Sequence, residues 1–238
     1  MMQELEILAT LDHPHIVRVH DLMEDNKNFY VVSELVQGGE LYDFLIKKKR
    51  LLPSDVAKII KQLLLALNHM HTQKIAHRDL KPENILMASN DEIKLADFGF
   101  AVFVGDEQQT LKLGSPIYMA PEIVNSEEYG LKVDIWALGI ITATLLTGKS
   151  VYRGKTKSQI FYEIQNERPN IHPEMLSTDA KEFIESCLIQ DPNKRKTALE
   201  LLQSPFLTAR PASSAVANSP QPSAVVQNLK QFTRLNRF

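Results

Sequence analysis

A chain of 238 residues that is 44% hydrophobic and 24% charged can bury a sizeable core, and a net charge of -2 at pH 7 gives no broad basic field for nucleic acid or an anionic membrane. Its single cysteine, Cys187, excludes an internal disulfide framework and suits a reducing compartment. No run is apolar for long enough to span a bilayer, and the amino terminus has no basic-then-apolar leader, so the expectation is a cytoplasmic or nuclear monomer.

In chain order, residues 1–11 predict a helix with Leu5, Leu8 and Leu11 on one face, ended by His13-Pro14. Residues 17–23 and 29–32 predict two strands around the polar turn Glu24-Asp25-Asn26-Lys27. Gly38-Gly39 then opens a short helix to about residue 48. The clearest helix starts with Pro53, where a first-turn proline forfeits no hydrogen bond. Its apolar stripe is Val56, Ile59, Ile60, Leu63, Leu64, Leu67 and Met70. Residues 85–87 and 93–96 predict a hairpin, and from 131 to about 206 the pattern is helical in several segments. Residues 208–223 are rich in alanine, serine and proline and read as a linker. Leu229, Phe232, Leu235 and Phe238 then give residues 228–238 a basic amphipathic pattern.

The chemistry lies between the long helix and the hairpin, in His77-Arg78-Asp79-Leu80-Lys81-Pro82-Glu83-Asn84, with Asp97-Phe98-Gly99 beyond it. Phosphoryl transfer asks a protein mainly to place metal ions, phosphates and a hydroxyl, and to neutralise charge. Asp79 can accept or orient a hydroxyl proton, and Lys81 supplies positive charge. Asn84 and Asp97 offer the hard oxygens that magnesium prefers. Each residue alone is an ordinary loop residue; the ordered string carries the reading.

That string, followed by Asp97-Phe98-Gly99 and Ala120-Pro121-Glu122, resembles the signature motifs of eukaryotic-type serine/threonine protein kinases from residue 1 to about 206. The resemblance implies an α+β, protein-kinase-like fold with a mostly helical large lobe and a partial small lobe of helix C and two strands only. Residues 1–36 would be the small-lobe remnant, 37–207 the large lobe, 208–227 a linker and 228–238 the start of an autoinhibitory or junction helix. ATP and Mg2+ are the implied cofactors.

By the same likeness Asp79 is the catalytic base, Lys81 contacts phosphate, and Asn84 and Asp97 are the magnesium ligands. Glu4 matches the helix-C glutamate that pairs with a strand lysine. Glu34 to Val36 fall at the adenine-binding hinge, and Ser33 at the gatekeeper just before it. Glu40, Glu83 and Leu86 join the nucleotide-binding set. Glu40 and Glu83 also match acidic positions that face arginines upstream of the target residue, implying protein substrates with upstream basic residues.

His77, Phe98 and Gly99 complete the catalytic motifs. Ser115 belongs to the substrate-docking end of the activation segment. Glu122 would pair with Arg195, and Asp134 would hold the catalytic-loop backbone. Arg78 implies a basic pocket filled by an activation-loop phosphate on Thr110, or by the fixed charges of Asp106 and Glu107.

Residues 223–238 resemble the junction of calcium-dependent protein kinases, where a basic helix blocks the substrate groove until a calmodulin-like domain removes it. A calmodulin-like domain or calmodulin is the implied partner there. No EF-hand loop occurs in the chain. Two departures stand out. No Gly-x-Gly-x-x-Gly loop or Val-Ala-Ile-Lys-like strand precedes Glu4, which predicts weak ATP retention by this chain alone. Gly148-Lys149-Ser150-Val151-Tyr152 replaces the usual Pro-Pro-Phe-like turn. A pseudokinase scaffold and a calmodulin-capturing regulatory fragment are the rival functional classes.

Overall fold

The structure, a computed structural model, describes residues 2–41, 43–44, 52–89, 91–105 and 109–208, with side chains from residue 6 onward. Helix α1 (Met2–Thr10) buries Ile7 in the core and packs Leu8 against it, and Leu11, just past the helix end, is buried there too. Leu8 and Leu11 of the expected face thus both meet the core. The side chain of Leu5 lies outside the described residues.

Strands β1 (Val19–Glu24) and β2 (Phe29–Ser33) pair antiparallel, with a register irregularity between Val19 and Asp21. Asp25 closes their turn, its Oδ1 accepting the Lys27 and Asn28 N–H groups at 2.7 and 2.8 Å and its Oδ2 the Tyr30 hydroxyl at 2.7 Å. The helix expected after Gly39 is described only at Leu41, Asp43 and Phe44; the linker and amphipathic tail, from 209 onward, lie outside the described residues.

Helix α2 (Pro53–Thr72) buries all seven residues of its stripe, Val56 through Met70. Each such aliphatic side chain contributes about 1.5–3 kcal/mol on leaving water. Helix α2 packs against helix α4 (Lys132–Thr147) and against β5 (Ile93–Leu95), which pairs with β4 (Ile85–Met87) in a hairpin. A second small pair joins β3 (Ile75–Ala76) to β6 (Val102–Phe103). Helix α4 is apolar on every side and is buried from Val133 to Thr147.

Helix α3 (Pro121–Val124) packs on α5 (Lys157–Asn166), α6 (Thr178–Cys187) packs on α4, and α7 (Ala198–Leu201) and α8 (Pro205–Thr208) pack on α2. Among the described residues, no helix is long and apolar enough to cross a membrane.

Candidate active site

The site is built outward from the first turn of α4. Asp134 there is 1% exposed. Its Oδ1 accepts the Arg78 N–H at 2.9 Å, and its Oδ2 accepts the His77 N–H at 2.9 Å and lies 2.9 Å from His71 Nε2. A carboxylate can only accept, so His71 Nε2 carries the proton of that bond. Burial pushes the Asp134 carboxyl up, but the His71 hydrogen bond and charge, with His77 behind them, hold it below the usual carboxylate range. Arg78 has φ 67°, a left-handed conformation that costs about 1–3 kcal/mol unless its surroundings impose it. Asp134 clamps the N–H of Arg78 and of the residue before it.

His77 is fully buried. Its Nδ1 accepts the Asp79 N–H at 3.3 Å, which leaves the proton on Nε2, 3.2 Å from the Ala96 carbonyl. The His77 and Phe98 rings are 5.3 Å apart, and Phe98 is buried in the same core as Ile7 and Leu11.

Asp79 is fixed by four donors. Ser115 N–H and Oγ reach Oδ1, both at 3.0 Å; Lys81 Nζ and Asn84 Nδ2 reach Oδ2 at 2.5 and 3.3 Å. Asn84 Nδ2 also donates to the Asp79 carbonyl at 2.9 Å. Gly114 (φ 99°) makes this approach possible, because a Cβ there would lie 2.6 Å from the Arg78 carbonyl oxygen. Asp79 as a whole is 3% exposed.

Asp97 joins through the hairpin. Ile85 pairs with Leu95, and Ala96 N–H donates to the Asn84 carbonyl at 2.9 Å. Asn84 and Asp97 therefore leave the hairpin at the same end. Asp97 is exposed, has φ 62°, and accepts the Gly99 N–H at 3.3 Å. Among the described residues, no three His, Cys, Asp or Glu side chains converge as a metal cage.

The segment after β2 lies along β4. Met87 N–H donates to the Gly39 carbonyl at 2.8 Å, Glu40 bridges Leu86, and a Cβ on Gly38 would fall 2.1 Å from the Met87 carbonyl oxygen. Ser33 is exposed at the end of β2, and Val36 is half-buried. Glu34 is engaged, with Lys94 Nζ at 2.6 Å and the Arg18 N–H at 2.8 Å. Partial burial pushes its carboxyl up, but these two donors outweigh it and the carboxyl sits below its ordinary value. Glu40 is exposed, whereas Glu83 is half-buried and faces the Tyr118 phenol, which burial drives up with help from the charges of Glu83 and Asp79. Glu4 is on α1, and its side chain lies outside the described residues.

Glu122 and Arg195 form a buried two-pronged pair at 2.7 and 3.0 Å. The remaining guanidinium donors reach the Lys132, Ile189 and Gln190 carbonyls at 2.7, 2.9 and 3.3 Å, so all five are used. Arg78 donates to the Phe100 carbonyl, Gln109 Oε1 and the Tyr129 hydroxyl. Thr110 is exposed; Asp106 and Glu107 lie outside the described residues.

His71, Gln109 and Tyr129 are absent from the sequence reading, because no motif marks them. Two concavities, of about 490 Å³ beside Arg153 and Tyr162 and about 510 Å³ beside Glu182 and Lys196, contain no residue of the Asp79 cluster. Chemistry rather than cavity size locates this site.

Residues 1–207 match the family described as "Protein kinase domain". The chain is 38% identical over 240 residues to death-associated protein kinase 2 of Mus musculus, an alignment covering 98% of this chain and 64% of that protein. It is 40% identical over 218 residues to calcium/calmodulin-dependent protein kinase cmkA of Emericella nidulans, covering 88% and 53%. To the calcium/calmodulin-dependent protein kinase type II alpha chain of Drosophila melanogaster it is 36% identical over 238 residues, covering 97% and 44%. The chain thus spans roughly half to two thirds of these relatives.

Proposed function

The chain belongs to the protein kinase family, and on that premise we propose that it transfers the γ-phosphoryl group of ATP to serine and threonine hydroxyls of proteins. The observation that carries the reading is the buried Asp79 carboxylate, held by Lys81, Asn84 and Ser115. Asp79 orients the substrate hydroxyl and accepts its proton as the oxygen attacks. Lys81, already at the carboxylate, supplies positive charge to the transferred group.

The family generally uses ATP with Mg2+, and the donor set here fits that ion. Asn84 spends its amide N–H on Asp79 and so presents Oδ1, while Asp97 presents an exposed carboxylate. One carboxylate and one amide oxygen without a closed cage suit magnesium, which keeps its waters and shares phosphate oxygens. When bound, the ion neutralises charge on the phosphates.

Glu40 and Glu83 stand on neighbouring segments, both tied to β4, and give the substrate side two carboxylates for arginine. Regulation by calcium through a calmodulin-like partner draws support from two of the relatives' names and from the basic amphipathic pattern of residues 228–238.

The test is transfer of labelled phosphate from Mg-ATP to an arginine-containing serine peptide by the full-length gene product, with and without calcium and calmodulin. D79N is expected to lower kcat by about 10³-fold, the scale of a lost general base. E40Q and E83Q are expected to raise KM for the arginine peptide more than they change kcat. Wild-type protein that transfers nothing under either condition overturns the assignment.

A further inference from the structure

We propose that Gln109 and Tyr129 are positioning residues: they dock the activation segment on Arg78 through uncharged hydrogen bonds, so the Asp79 cluster assembles without a phosphate on Thr110. The inference rests on the phosphoryl-transfer reading for what is positioned, not for the docking itself.

Three parts of the chain meet at the Arg78 guanidinium. Its Nε donates to the Phe100 carbonyl at 2.6 Å, and its Nη1 to Gln109 Oε1 at 3.1 Å and to the Tyr129 hydroxyl oxygen at 3.2 Å. Tyr129 in turn donates its hydroxyl to the Leu111 carbonyl at 2.8 Å and its N–H to the Gln109 carbonyl at 3.1 Å. The ring closes from the catalytic loop through the activation segment to the loop before α4. Every oxygen in it is neutral. Hydrogen bonds to a charged donor are the stronger kind, and Tyr129 is buried, so water competes weakly there.

Backbone geometry explains why Thr110 is outside this ring. Gln109 and Tyr129 form an antiparallel bridge, and successive side chains of extended backbone point to opposite faces. With Gln109 turned in to Arg78, Thr110 is turned out to solvent, where the structure has it. A phosphate on Thr110 would reach Arg78 only if the segment turned over and gave up the Gln109 contact.

The docking bears on catalysis through the other end of the segment. Gly114 lies against the Arg78 carbonyl, and Ser115 holds Asp79 Oδ1 by both N–H and hydroxyl. Fixing Gln109 and Leu111 thus fixes the approach of Ser115 to the carboxylate.

The test uses the full-length protein with Q109A, Q109E, Y129F and T110A. Two readouts are taken: the rate of trypsin cleavage after the exposed Lys112, and kcat with KM for ATP in transfer to an arginine-containing peptide. Q109A and Y129F are expected to speed cleavage at Lys112 by about tenfold, the scale of one lost hydrogen bond to a charged group, and to lower kcat with KM for ATP unchanged. Q109E keeps the acceptor and adds a charge for Arg78, so it is expected to restore wild-type protection and kcat. T110A is expected to match wild type in both. Cleavage confined to Lys112 separates undocking from global unfolding, which opens all sites together.

The proposal falls if Q109A and Y129F are cleaved at the wild-type rate, or if T110A reproduces their losses. A wild-type protein without transferase activity refutes the phosphoryl-transfer reading, and the Lys112 rates then decide the docking alone.

Discussion

A buried carboxylate is costly unless donors meet its oxygens, and Asp134 and Glu122 satisfy that demand in different ways. Asp134 takes two backbone N–H groups and one imidazole N–H, which ties the loop at His77 and Arg78 to α4. Glu122 takes one guanidinium whose five donors are all engaged, which ties α3 to the loop before α7. Removing one partner of such a pair strands the other charge, so E122A is expected to destabilise the fold by about 3–5 kcal/mol, read from the urea midpoint. The string from His77 to Asn84 could be named from sequence because its members are contiguous. His71 could not. It sits six residues upstream in the last turn of α2, and it gains meaning only when α4 brings Asp134 to it.

At the scale of elements, the stripe of α2 is legible because one face is wet and the other dry, so burial writes a helical period into the sequence. Helix α4 has no such period, since neighbours cover every side; its apolar length marks it as core and says nothing of what it touches. One contact there is close enough to test. A Cβ on Gly139 would lie 2.6 Å from Cys187 Cβ and 2.8 Å from Leu188 Cδ2, so G139A is expected to cost about 1–3 kcal/mol of stability by denaturant titration.

The loop after α1 gives a pH test. Burial, then the charges of His69, His15 and Lys94, lower the His13 pKa from 6.5 to about 4. The unfolded chain binds a proton at His13 below about pH 6.5 and the folded chain does not until about pH 4. Stability from this group is therefore full above 6.5, falls as pH drops toward 4, and levels off below. H13N is expected to flatten that fall in thermal transitions recorded across the window.

For the whole molecule, burial is uneven. The core around α2 and α4 is nearly dry, whereas β1 and β2 leave Met23, Tyr30, Val31 and Val32 exposed on a two-stranded sheet. Two-stranded sheets are marginal by themselves. Amide hydrogen exchange is expected to be fast in residues 19–33 and to approach the global unfolding limit in 56–70 and 133–147; equal protection throughout would contradict this burial gradient.

The sequence by itself determined the long helix, the hairpin, the order of the motifs and the family they point to, because periodicity and contiguous spacing are local properties of a chain. Only the tertiary structure decided which donors meet Asp79, that His71 serves Asp134, and that Arg78 is occupied by Gln109 and Tyr129. Those partners are 31 to 63 residues away wherever they cross between elements. Such a pairing exists only once the fold has brought the elements within hydrogen-bond reach.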